Sequence, residues 1–185
     1  VAAPVAPAAD ATAGVSRRRI RWLRVRTPRP VPRGEPYRVL LVCSSGGHLA
    51  QLMRLRPWWT RHERSWACFE LPDAAGLLDG ERVTWVHHPT TRHLGNLGRN
   101  LVLALRVLTR DRPDVIVSTG AGAAVPFFWV GRVLGCRTVY LEVYDRIDSS
   151  TLSGRLCHPV TDLFLVQWPE QRTLYRDAVT SGPVY

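Results

Sequence analysis

Lysine is absent from all 185 residues, so the 25 positive charges are arginine, set against 15 carboxylates for a formal charge of +10. That absence excludes a P-loop, whose lysine reaches the terminal phosphates, and any Schiff-base chemistry on a lysine. Cysteine is scarce and unpatterned: Cys43, Cys68, Cys136 and Cys157 make no CxxC pair and have no histidine at zinc-finger spacing. They read as buried thiols of a reducing compartment. No DxD element occurs, so no divalent metal or other cofactor is expected. No apolar run approaches the ~18 residues of a spanning helix, because the best candidate, 121–130, holds Gly122 and Pro126. The sequence is therefore not expected to cross a membrane by itself. Its first fifteen residues lack the basic start and unbroken apolar core of a secretory signal.

What is present is 45% apolar content, enough for one buried core at a single-domain length. Much of the basicity is local. Residues 1–36 hold eight arginines against Asp10 and Glu35, a charge of +6 out of the +10. Within 16–26 the arginines alternate with Ile20, Trp22, Leu23 and Val25, a composition suited to an anionic lipid surface. A solvated basic tail has the same composition, and both readings stay open. A proline-rich linker follows at 27–34, so residues 1–36 read as a disordered tail and 37–185 as the folded domain. No basic-aromatic stripe runs through the domain, so nucleic acid is not an expected partner.

From Arg38 onward, short β-branched runs alternate with helical segments. Strands are expected at 39–43, 65–69, 83–86, 115–118, 138–143 and 163–166. Helical stretches are expected at 49–55 and after Gly122. Leu94, Leu97, Leu101, Leu105 and Leu108 recur at three- and four-residue steps, which places them on one face of a helix that stops before Pro113. Strand, turn and helix in this order give an α/β fold, a Rossmann-like parallel sheet of six to seven strands with helices on both faces.

Ligands of such sheets bind beyond the carboxyl ends of the strands. Ser44-Ser45-Gly46-Gly47-His48 and Thr119-Gly120-Ala121-Gly122 each join a strand to a helix there. Glycines admit a ligand to the backbone N–H groups, and a helix N-terminus favours an anion, so the two loops together suit a phosphate or diphosphate. His48 opens a helix, where the dipole disfavours imidazolium; it reads either as a base or as a histidine bonded to the local backbone. His87 and His88 end a strand, one expected to face the core and the other the loop layer. Glu142, Asp145, Arg146, Asp148 and Arg155 fall within fourteen residues and read by default as a surface ion-pair network. Glu142 stands apart because it directly follows an apolar run, where solubility does not account for a charge.

Five segments in this order, 42–52, 113–128, 139–142, 153–156 and 162–170, resemble the PssD/CpsF-type subunits of bacterial exopolysaccharide glycosyltransferases. They are similar also to the acceptor-binding subunit of the eukaryotic dolichol-pathway N-acetylglucosaminyltransferase. The resemblance covers 38–185 and does not extend into residues 1–37. It implies the N-terminal half of a GT-B fold distantly similar to MurG, with a nucleotide-sugar-binding subunit supplied as a separate chain. It further implies an inverting transfer to a polyprenyl-diphosphate-linked saccharide, peripheral on the cytoplasmic face of the plasma membrane. The chain's end at 180–185 falls where a fused enzyme would enter its second domain. The two glycine loops would face the acceptor diphosphate, with Arg146 and Arg155 as guanidinium candidates. His48 would lie nearest the acceptor hydroxyl, and Glu142 or a residue of the partner is the other candidate base. Eukaryotic members carry an N-terminal membrane helix, where this sequence offers the arginine-tryptophan tail. The alternative reading is a non-catalytic membrane scaffold that recruits and activates a partner transferase.

Overall fold

The computed structural model describes residues 36–90 and 93–184, so the basic tail and its expected lipid-binding stretch lie outside the described residues. β1 (Arg38–Val42) is covered on both faces: Leu40 and Val42 enter one core, Val39 and Leu41 the other. Such double coverage explains a continuous apolar run in place of alternation. The chain continues through α1 (Gly47–Arg54), α2 (Arg56–Trp59), β2 (Glu63–Phe69), α3 (Pro72–Leu77) and β3 (Val83–Val86). Then come α4 (Leu94–Asp111), β4 (Val115–Ser118), α5 (Ala124–Leu134), β5 (Arg137–Leu141), α6 (Leu152–Cys157), β6 (Leu163–Val166) and β7 (Val179–Thr180). The seven strands pair in parallel in the order β3-β2-β1-β4-β5-β6-β7. The order reverses direction between β1 and β4, which makes that junction the switch point.

Two cores sandwich the sheet. α4, α5 and α6 cover the face carrying Leu40, Ile116, Tyr140 and Phe164, whereas α1 to α3 cover the face carrying Leu41, Trp66 and Val117. On the second face Trp59 meets Trp66 edge to face at 5.5 Å and spends its indole N–H on the Leu52 carbonyl. α5 lies close on the sheet because Gly131 has no Cβ to strike Ile116. The four cysteines are free and buried.

At the amino edge, opposite the switch-point loops, carboxylates clamp neighbouring strands. Asp114 accepts from the Arg38 N–H at 2.9 Å and from its guanidinium at 3.1 Å, fixing β1 against β4. Asp162 likewise accepts from Thr138 N–H and pairs with Arg132, fixing β5 against β6.

The leucines at 94, 97, 101, 105 and 108 share a face of α4 as their spacing predicts; that face is exposed at Leu94, Leu97, Leu101 and Leu105, and of the five Leu108 is buried. The buried side instead carries Asn96, Asn100, Ala104 and Val107. The reason is a backbone debt in the loop after β3: Asn100 donates to the His87 carbonyl at 2.8 Å and accepts its N–H at 2.9 Å, while Asn96 donates to the Pro89 carbonyl at 3.0 Å. One expectation is corrected: His87 and His88 are both exposed, so neither faces the core. The short helices α2 and α3, absent from the sequence reading, both begin with proline in the first turn.

Candidate functional site

The loops after β1 and β4 stand side by side at the carboxyl edge. They are joined by a reciprocal pair of bonds: the Thr119 hydroxyl donates to the His48 carbonyl at 2.7 Å, and His48 Nδ1 lies 2.8 Å from the Thr119 carbonyl. A carbonyl only accepts, so Nδ1 carries the ring proton and Nε2 presents its lone pair. Nε2 makes no hydrogen bond among the described residues. Burial pushes the pKa of His48 below its ordinary 6.5, against the opposing pull of the Thr119 carbonyl and the carboxylates of Glu142 and Asp145. The ring is neutral at pH 7 and able to accept a proton.

Backbone conformation in both loops is unusual. Gly46, the residue before α1, has φ 69° and caps the helix without a side chain. Gly120 has φ 114°, and a Cβ there would come within 2.8 Å of the Tyr140 hydroxyl and 3.0 Å of His48 Cε1. Ala121 holds the left-handed region at φ 68°, a conformation an L-residue enters at a cost of ~1–2 kcal/mol. Gly122 lets the loop after β3 approach, since its Cβ would meet Thr90 Oγ1 at 2.5 Å. Ser44 and Ser45 are half-buried, and Ser44 bonds only the Ser45 carbonyl among the described contacts. Gly47 is open, with nothing within 4 Å of an added Cβ.

Asp73, unnoticed in the sequence, takes one of the N–H groups of the first loop: its carboxylate accepts from Gly46 at 2.7 Å. A carboxylate already sits where an anionic ligand would first meet the backbone. Its signal in the sequence was Leu71-Pro72-Asp73, a helix start with proline and an acid in the first turn.

Glu142 lies at the end of β5 with no exposed surface. Its oxygens accept from the Val143 N–H at 3.1 Å, the Thr151 hydroxyl at 3.0 Å and the Tyr175 hydroxyl in a short bond. Burial, then the carboxylate itself, push the Tyr175 hydroxyl far above its ordinary range, so it remains a donor. Gly154 completes the enclosure, for any Cβ would strike Glu142, Tyr175 and Thr151. The structure thus separates Glu142 from the open edge and makes it the anchor of the loop 143–151. Two buried glutamines that sequence reading passed over hold the same loop: Gln167 donates to the Glu142 carbonyl at 2.9 Å and Gln171 to that of Val143 at 3.0 Å. Gln167 directly follows the apolar strand β6, the same signal that singled out Glu142, whereas Gln171 lies in the turn beyond it and carries no such signal. Arg146 rides on this loop and Arg155 on α6, both exposed. No group of three His, Cys, Asp or Glu able to hold a metal occurs among the described residues.

The arrangement is one proton acceptor fixed between two backbone-rich loops at a switch point, in a single sheet. Residues 77–184 match the family model described as oligosaccharide biosynthesis protein Alg14 like. The chain is 30% identical over 178 residues to UDP-N-acetylglucosamine transferase subunit ALG14 of Eremothecium gossypii, covering 79% of each. It is 27% identical over 195 residues to the Homo sapiens protein of the same name, covering 88% of this chain and 89% of the relative. Among solved structures it superposes on MurG of Acinetobacter baumannii with TM-score 0.62 at 15% identity, over 73% of this chain and 43% of that one. MnaA of S. aureus, solved with UDP, gives TM-score 0.61 at 10% identity, over 80% of this chain and 44% of that one. The chain therefore spans less than half of these two larger proteins, whose likeness is one of fold. Family model and relatives agree, and the chain belongs to the Alg14-like family of oligosaccharide biosynthesis proteins.

Proposed function

We propose that this chain is the acceptor-binding subunit of a two-chain inverting glycosyltransferase, moving a sugar from a nucleotide-diphosphate donor to a polyprenyl-diphosphate-linked saccharide. The relatives are named as subunits of a UDP-N-acetylglucosamine transferase, which supports both a separate donor-binding partner and that donor. The observation that carries the reading is the His48–Thr119 clasp at the switch point, which holds a neutral imidazole between two glycine loops. In this mechanism His48 Nε2 takes the proton of an acceptor hydroxyl while its oxygen bonds the anomeric carbon from the face opposite the departing nucleotide diphosphate. Nδ1–H on Thr119 keeps the ring in the required tautomer. The open Gly46-Gly47 backbone and the exposed Arg146 and Arg155 receive the acceptor diphosphate, which displaces Asp73 from the Gly46 N–H. Placement on the cytoplasmic face of the plasma membrane through the arginine-tryptophan tail, and a role in exopolysaccharide or capsule assembly, belong to the proposal and rest on the sequence resemblance.

The test is reconstitution with the partner chain, using a short-prenyl diphosphate saccharide as acceptor. The chain alone should turn over negligibly and the pair measurably. His48→Ala should lower kcat by roughly 10²- to 10⁴-fold with KM nearly unchanged. Gly47→Val, which has free space in the fold, should instead abolish acceptor binding. Robust turnover by the isolated chain would refute the two-chain reading. An undiminished rate for His48→Ala would make the chain a scaffold for its partner's chemistry.

A further inference from the structure

α4 is amphipathic in the wrong sense for a solvated surface helix. Its buried side is built on two asparagines, whereas Leu94, Leu97, Leu101, Val102 and Leu105 stand 82%, 42%, 48%, 49% and 49% exposed. At ~100° per residue these five positions fall within one sector of about 140°. Single exposed leucines are ordinary, but five large aliphatics in one stripe are the composition of a docking face. The stripe has no acid, since the first carboxylate of the helix is Asp111 at its final position. Arg99, Arg106 and Arg110 line up along one flank, about 40° apart at most. Arg110 meets Asp111, while Arg99 donates to the Asn96 amide oxygen, its one hydrogen bond among the described residues.

The stripe is also placed with respect to the site. α4 follows β3 in a parallel crossover, so its first turn, with Leu94 its most exposed leucine, lies at the carboxyl edge. There the loop leading into it touches Gly122 of the second site loop through Thr90. The helix then runs about 27 Å away from that edge.

We propose that the leucine stripe of α4 is a membrane-docking face, seated in the headgroup layer of an anionic bilayer with its arginine row on the lipid phosphates. An aliphatic stripe flanked by arginines, with no carboxylate on the helix before Asp111, selects an anionic bilayer as the occupant. The inference deepens the proposed function and rests on it for the lipid-linked substrate: docking by α4 would bring the site edge down to the membrane surface, where the diphosphate of a lipid carrier lies. No described helix is long and apolar enough to cross, so the seat is in the plane of the surface.

The experiment uses the full chain with vesicles of 70:30 phosphatidylcholine and phosphatidylglycerol. Leu101→Cys is labelled with an environment-sensitive nitrobenzoxadiazole, which the four buried native thiols do not compete for, and Asp79→Cys serves as the control on the other face of the sheet. Vesicles should blue-shift and brighten the label at 101 and leave that at 79 unchanged. Replacing Leu94, Leu97, Leu101 and Leu105 together with Ser should raise the lipid needed for half-binding by more than about tenfold. With the partner chain present, that variant should keep its rate on a soluble short-prenyl acceptor and lose most of it on a long-chain acceptor in vesicles. A label at 101 that stays aqueous on vesicle-bound chain overturns the proposal in favour of the tail alone. Unchanged vesicle binding by the serine variant overturns it as well. Loss of the soluble-acceptor rate by the serine variant overturns it in favour of a partner interface. Failure of the unmutated pair to transfer sugar would count against the proposed function, and the labelling result would still decide the docking face.

Discussion

Gly154→Ala tests the enclosure of Glu142 because two physical effects predict opposite signs. Gly154 lies inside α6, and by helix propensity alone alanine there stabilises by about 0.5–1 kcal/mol. The structure predicts the reverse. The new methyl would strike the Glu142 carboxylate and the Tyr175 hydroxyl, and would lie 2.8 Å from Thr151 Oγ1. Overpacking of this kind costs ~1–3 kcal/mol, and loosening a hydrogen bond to a buried carboxylate costs a further ~1.5–3. After subtracting the propensity gain, a net loss of about 1.5–5.5 kcal/mol is expected. At an m-value near 2 kcal/mol/M in urea, the midpoint falls by roughly 1–3 M with unchanged slope. Tyr175→Phe removes the atom that the methyl strikes, so Gly154→Ala should cost less in that background, and the coupling in the double-mutant cycle should be favourable. Equilibrium urea unfolding followed by tryptophan fluorescence measures all four proteins. A Gly154→Ala protein as stable as the parent, or more so, would refute the packing argument and leave propensity in charge.

The pH dependence follows from His48. Its folded pKa lies below 6.5, so the unfolded chain binds that proton first; its contribution to stability is complete above pH 6.5 and is lost as pH falls towards the folded value. His48→Gln should therefore flatten the decline in stability between pH 7.5 and 5, and equal slopes for the two proteins would exclude the effect. Asn100→Leu makes α4 more apolar yet should destabilise by ~2–3 kcal/mol, because the N–H and carbonyl of His87 both lose their partner; thermal melts that show no loss would contradict the buried-amide account.

Much of the topology was legible because strands covered on both faces leave continuous apolar runs, and the strands expected at 39–43, 115–118 and 138–143 fall within two residues of β1, β4 and β5 at each end. The two glycine loops were legible for the same reason, as the first polar residues after those runs. Side-chain direction was not. The leucine period of α4 is real, but which of two faces is buried depended on the asparagines that satisfy the loop after β3, a tertiary contact with no trace in the period. Asp73 could not be tied to Gly46 from sequence, because the pairing joins residues 27 positions apart across two loops. Glu142 was rightly singled out as a charge that solubility does not explain. Its partners, Thr151 and Tyr175, lie 9 and 33 residues away, and only the fold reveals them.

The strand order has a consequence for how the chain is made. Hydrogen-bonded neighbours on β1 and β4 are 76 residues apart, as with Arg38 and Asp114. At ribosomal rates of ~5–20 residues per second, β1 waits roughly 4–15 s for β4 after it has been synthesised. During that interval β2 and β3 can zip onto one side, but the other edge of β1, among the most apolar segments of the sheet, stands open beside the translating ribosome. The strand that carries the first loop of the site is thus also the one most in need of a chaperone while the nascent chain is growing.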